Sequence, residues 1–211
     1  MTTVILDTNC HVGGIARAGS YLWVCDSNTT TLRAYKFSDI EKDKNKAYHS
    51  VTKKKARSVS VTPSYICYCK DNKYIYEGKW EESKTADTKI CYYSRAGSKI
   101  TKKGTITIKG IGQIQGISIR GGTMLLTGSY GKSNKSYIYR FKYKEGKTTY
   151  KKSEAQVYTM PNMLEACYIS PTRTYCLFES AAKVYLDYNK DIMPMDHYVA
   201  IDNGSLGFKV N

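Results

Sequence analysis

HVGGIARAGSYLWVCDSNTTTLRAYKF, residues 11–37, reads as two apolar strands joined by a tight turn, with a third strand after a polar loop. The same pattern returns three times. GIARAGSYLWVCD starts at Gly14, SVSVTPSYICYCK at Ser58, GISIRGGTMLLTG at Gly116, and ACYISPTRTYCLFE at Ala166 with one extra turn residue. Each unit is a short strand, a Gly/Pro/Ser turn and a second apolar strand. An interval of roughly 40–60 residues with several strands per unit is the signature of β-propeller blades.

Third strands follow at TLRAYKF (31–37), KYIYEGKW (73–80), SYIYRFKYK (136–144) and HYVAID (197–202). Outer strands are KGTITIKG (103–110) and QVYTM (156–160). The fold expected is all-β, a propeller of about four blades in one domain over residues 1–211. Blades span approximately 12–52, 53–110, 111–160 and 161–202. TVILD (3–7) is an outer strand without a preceding blade. It either closes a four-blade ring by pairing with HYVAID, or the chain is the latter part of a larger propeller that is N-terminally incomplete. The only helical turn expected is FSDIEKDK (37–44), capped by Ser38.

Composition agrees. Twenty tyrosines against four prolines favour pleated, half-exposed surfaces. Lys+Arg is 33 and Asp+Glu 18, a net charge of +15, which attracts anionic surfaces. Many lysines fall in connecting stretches, where a solvated basic rim is the plain reading. No run is long and apolar enough for a membrane helix. MTTVILDTNC lacks the basic start and apolar core of a signal peptide. The seven cysteines are irregularly spaced in apolar strands and read as reduced, small hydrophobes.

HVGGIARAGSYLWVCDS, GQIQGISIRGGTMLLTGSYGKSNKSYIYRFKY and MPNMLEACYISPTRTYCLFESAAKVY resemble segments of an uncharacterised bacterial family of propeller-like proteins, secreted or envelope-associated. The resemblance implies further blades upstream, an export signal and an extracellular or envelope location. It supplies no activity.

Motifs for chemistry are missing or mismatched. GSYGKS (128–133) has Leu126 where a phosphate loop needs glycine, and a strand follows where a helix is required. GIGQIQG (110–116) is one residue too long for a dinucleotide fingerprint and joins two strands. The histidines, His11, His49 and His197, form no H-E-x-x-H, and no C-x-x-C or G-x-S-x-G occurs.

Equivalent positions in the repeats are more informative. Residues just before the inner strands are His11, Arg57, Gln115 and Glu165; those just after the second strands are Asp26, Lys70, Ser129 with Tyr130, and Glu179. Their chemistry varies from blade to blade on a repeated scaffold, as binding loops do, although wet turns give the same pattern. His11, Asp26, Gln115, Ser129, Tyr130, Glu165 and Glu179 are the candidate ligand-binding residues at the channel mouth. The tyrosines pack between blades or, if exposed together among lysines, stack on sugars or bases.

The reading that follows is a non-enzymatic binding protein without cofactor, its ligand an anionic polymer such as an acidic glycan or a cell-surface component. The alternative is a lactonase-like hydrolase or lyase in which Glu165, Glu179, Asp26 and His11 hold Ca²⁺ or Mg²⁺ at the mouth. Lysine-driven nucleic-acid binding ranks third, because no reading helix or RNP motif is present. Oligomeric state is not legible.

Overall fold

An inner strand flanked by two other blades is covered on both faces and so favours a continuous buried run, as at residues 65–68 and 114–119. IARA (15–18), in the first blade, alternates exposed and buried instead. In the computed structural model, residues 3–42, 45–53, 55–186 and 194–210 are described.

The chain opens with β1 (Thr3–Leu6), β2 (Ile15–Ala18), β3 (Tyr21–Asp26), β4 (Thr31–Lys36), the one-turn helix α1 (Phe37–Glu41), β5 (Tyr48–Val51) and β6 (Lys55–Ser58). Blade one is the antiparallel sheet β2-β3-β4-β6. Blade two uses β7 (Tyr65–Tyr68), β8 (Ile75–Gly78), β9 (Thr88–Ala96) and β10 (Lys99–Lys109). Blade three begins with β11 (Ile114–Arg120), β12 (Thr123–Gly128) and β13 (Ser136–Lys142). The chain then leaves through β14 (Thr149–Lys151), which pairs in parallel with β10, and returns to blade three as β15 (Gln156–Met160). Blade four is β16 (Leu164–Ile169), β17 (Arg173–Phe178) and β18 (Val199–Asp202). The four sheets are arranged as a β-propeller.

Three expectations change. SVSV (58–61) is not the inner strand of blade two, because β6 ends at Ser58 as the outer strand of blade one, paired with β4. The alternating Ser/Val pattern suits a one-sided edge. YICY supplies the inner strand, with Ile66 toward blade one and Tyr65 toward blade three. KYIYEGKW is accordingly the middle strand, and β9 is the third. Second, TVILD does not pair with HYVAID. β1 lies parallel to β5, with Val4 opposite His49 and Leu6 opposite Val51. Val4, Leu6 and Val51 cover Val24 and Tyr35 on the flank of blade one. Asp7 anchors the segment by accepting from Tyr35 Oη at 2.8 Å and from Lys53 Nζ at 3.0 Å. Third, Ser38 does not cap α1: the N-cap is Lys36, without a side-chain bond. Residues 43–44 of the expected turn lie outside the described residues.

Inner strands β2, β7, β11 and β16 pack in sequence order. Trp23, Leu32, Ile66 and Ile75 fill the space between blades one and two. Tyr76, Ile117, Ile119, Met124 and Phe141 fill the next interface. Leu125, Ile138, Leu164, Cys176 and Phe178 fill the third. All seven cysteines are free, five of them buried. Some tyrosine hydroxyls within the core find partners, although Tyr65 Oη has none. Tyr76 Oη and Tyr143 Oη lie 2.7 Å apart, and Asn72 Nδ2 donates to both, at 2.7 and 3.2 Å.

Glu77, on β8, is fully buried and accepts from Tyr93 Oη at 3.0 Å, while its Oε2 has no partner. Burial pushes this carboxyl up to about 8, against a small opposing pull from Tyr93 and Lys102. The folded state therefore keeps a proton that the unfolded chain loses near 4.5. Stability is full below that value and falls as pH rises toward about 8, by up to about 1.4 kcal/mol per pH unit for this group. Urea unfolding of Glu77→Gln across this range is expected to show a distinctly shallower decline than the parent. Parallel profiles would refute the assignment.

Candidate functional site

One end of the propeller is built by the loops entering each inner strand and leaving each middle strand. Backbone bonds staple these loops together within blades. Ser27 N donates to His11 O, Ser129 N to Gln113 O and Glu179 N to Met163 O, each at 3.0 Å. In blade two Ser64 N donates to Gly78 O at 2.8 Å. Gln113 and Met163 take left-handed φ values of 58° and 62°, an uncommon state for side-chain-bearing residues. Each re-aims the chain into its inner strand.

The nominated residues divide over this end. His11 is exposed and contributes its carbonyl to the staple. Asp26 is buried and forms a fork with Arg33: Nε and Nη2 reach Oδ2 at 2.8 and 2.6 Å. Burial pushes the Asp26 carboxyl up, but the Arg33 guanidinium more than offsets this and holds it below the usual range. Asp26 is thus occupied in holding blade one. Gln115 and Glu165 line a cavity of about 1070 Å³ that runs along all four inner strands. It continues over the outer faces of the first and last blades, where Ile15, Tyr168 and Leu177 are exposed.

Glu165 and Glu179 do meet. Burial and the facing Glu179 carboxyl, which hydrogen-bonds to it, push Glu165 well above the usual carboxylate range. Tyr185 Oη donates to Glu179 Oε2 at 3.3 Å. No third His, Cys, Asp or Glu joins them in a metal-holding group among the described residues.

Ser129 and Tyr130 line a second, smaller cavity of about 260 Å³ between blades two and three. Its other walls are Lys84, Gly112, Gln113, Asn134, Lys135, Tyr137 and Tyr139. Trp80 packs on Tyr130 at 5.7 Å, and Lys84 Nζ sits 5.0 Å from the Tyr137 ring centre. Two expected mouth residues are elsewhere. Arg57 is on outer strand β6 and donates from Nε to Ser98 O at 2.8 Å. Lys70 follows the inner strand β7 rather than the middle one, so it belongs to the opposite end. Trp80, Lys84 and Lys135 were missed. Reading YICY as the inner strand would have brought Trp80 and Lys84 to the mouth, since KW and SKT then follow the middle strand.

Comparison with known proteins agrees on architecture. No family model and no curated protein matches the chain. Solved structures do. Hydrazine synthase of Kuenenia stuttgartiensis is similar at 15% identity and TM-score 0.50, over 77% of this chain and 42% of its own. Glutaminyl cyclase of Myxococcus xanthus is similar at 11% identity and TM-score 0.50, over 78% and 66%. A nidogen/laminin complex is similar at 11% identity and TM-score 0.51, over 94% and 61%. The fold is a β-propeller. At these identities the likeness concerns fold alone, and the chain spans less than two thirds of each of these three structures.

Because Asp26 is committed to Arg33, Asp26→Ala leaves the partly exposed Arg33 guanidinium without its partner. A loss of about 1–3 kcal/mol is expected in chemical denaturation, with ligand binding at the mouth of the remaining folded protein unchanged. A variant as stable as the parent would contradict this role.

Proposed function

We propose that this propeller is a binding protein that takes an acidic glycan on its loop-bearing end. The observation that carries the reading is the gathering of aromatic rings and lysines there: Trp80 against Tyr130, with Lys84 and Lys135 lining the same cavity as Tyr130. Tyr130 is 46% exposed, so its ring is open to a ligand. Aromatic faces stack on sugar rings, and ammonium groups meet carboxylate or sulfate. The net charge of +15 draws an anionic polymer toward the molecule before contact. One of the similar structures is itself a complex, that of nidogen and laminin, which suits a binding role. Nucleic acid is less favoured: among the described residues the α-helices, Phe37–Glu41 and Lys183–Leu186, are single turns, too short to read a groove.

The test is affinity for heparin and for neutral dextran over a salt series. Heparin is expected to bind with an affinity that falls at least tenfold between about 50 and 200 mM salt, and dextran to bind far more weakly. Tyr130→Ala is expected to cost about fivefold or more, in line with roughly 1–3 kcal/mol for one stacked ring. Equal failure on both polymers, or salt-independent binding, would overturn the proposal.

A further inference from the structure

We infer that the cavity between blades two and three is a subsite for one oxyanion-bearing hexose unit, a uronate or a sulfated sugar. The inference rests on the glycan reading above and specifies the unit that sets its selectivity.

The cavity is a built feature rather than a gap between loops. Three bonds fix the loop after β8 to the entrance of β11: Gly112 N donates to Lys84 O at 3.0 Å, Gln113 N to Glu81 O at 2.9 Å, and Gln113 Nε2 to Glu82 O at 2.8 Å. Gly112 permits this approach, since a Cβ there would lie 1.9 Å from Ser83 O. On the far wall Asn134 Nδ2 donates to Tyr130 O at 2.8 Å, and Ser136 Oγ to Ser129 Oγ at 3.1 Å. Both walls are thus held by their own hydrogen bonds before any ligand arrives, which lowers the ordering cost of binding.

Its chemistry is one-sided. Lys84 and Lys135 both line it, and no acidic side chain does. Neither lysine makes an ion pair among the described residues, whereas Lys79, Lys109 and Lys147 each have a carboxylate. Lys84 instead stands over the Tyr137 ring. Two ammonium groups gathered at one cavity repel each other, and an anion between them removes that cost. Tyr137, half-buried and backed by the buried Tyr139 ring 6.1 Å away, supplies ring surface for the C–H face of a sugar. Gln113, Asn134 and Ser129 add polar atoms suited to hydroxyls. The volume of about 260 Å³ sits at the small end of ligand cavities. That admits one ring and not a polymer segment, so a chain end or a side branch is what enters. Gln113, strained at φ 58°, stands at its edge; such strain gathers at functional positions.

The experiment is calorimetric titration of the protein with glucuronate, glucose 6-sulfate, glucose and inorganic sulfate, beside heparin. Both anionic sugars are expected to bind and to compete with heparin, with glucose and sulfate at least tenfold weaker. Lys84→Met with Lys135→Met retains the exposed stems and is expected to weaken the anionic sugars tenfold or more, with unchanged melting. If sulfate alone matches the anionic sugars, or glucose does, the hexose-plus-anion assignment is overturned. If heparin binds and the double variant leaves glucuronate and glucose 6-sulfate affinity unchanged, or neither sugar binds the parent, the subsite is overturned and the glycan reading stands. If heparin also fails, both fall.

Discussion

Close approach of neighbouring inner strands is the constraint from which the rest of this molecule follows. Four sheets can converge on one axis only where their first strands carry side chains small enough to let backbone meet backbone. Gly14 does this between blades one and two: a Cβ there would lie 3.1 Å from Ile66 N. Gly116 does it between blades three and four, where a Cβ would lie 2.9 Å from Ala166 Cα and 2.8 Å from Glu165 O. Thr127 Oγ1 donates to that same Glu165 carbonyl at 3.0 Å, and Ser118 Oγ accepts from Ile169 N at 3.0 Å. Convergence at the axis then lets Trp23, Phe141 and Phe178 fill the widening space further out.

This geometry places chemistry at the loops. The strands are occupied with packing, and the turns that join middle to third strands and outer to inner strands carry the variable residues. Two very different uses of charge result. Asp26 and Arg33 are a satisfied pair that ties the middle strand of blade one to the third. Lys84 and Lys135 stand at a cavity with no counter-charge in its lining. Glu165 is intermediate, its carboxyl raised because it is withdrawn from water and faces Glu179. Stability that declines as pH rises is the shared consequence of Glu77 and Glu165.

The architecture was legible because three of the four quoted hairpins announce themselves in the order of their apolar runs. GIARA–YLWVCD, GISIR–TMLLTG and CYIS–TYCLF fold as the inner and middle strands of blades one, three and four. Blade two was read one strand early, because SVSV-TP-SYICY mimics a hairpin with a proline turn. The deciding property, burial on one face or on both, belongs to the assembled ring and is not a local preference. The same slip displaced Lys70 and concealed Trp80 and Lys84. Ser129, Tyr130, Gln115 and Glu165 lie at cavities of the propeller because they hang on blades whose strands were placed correctly. The parallel pairing of β1 with β5 could not be anticipated, since four-residue alternating strands fit many edges equally well. Asp26 was nominated for its position; its neutralisation by Arg33, seven residues on, is a cross-strand fact that spacing alone does not convey.

The most direct measurement of the central claim is the stability of a graded series at the axis: Gly116→Ala and Gly116→Val, by urea unfolding with circular dichroism of the refolded states. If inner strands must touch there, stability falls in steps with side-chain size, by about 1–3 kcal/mol at the first step and more at the second. Unchanged midpoints across the series would show that blades three and four do not meet at Gly116, and the radial arrangement would not stand.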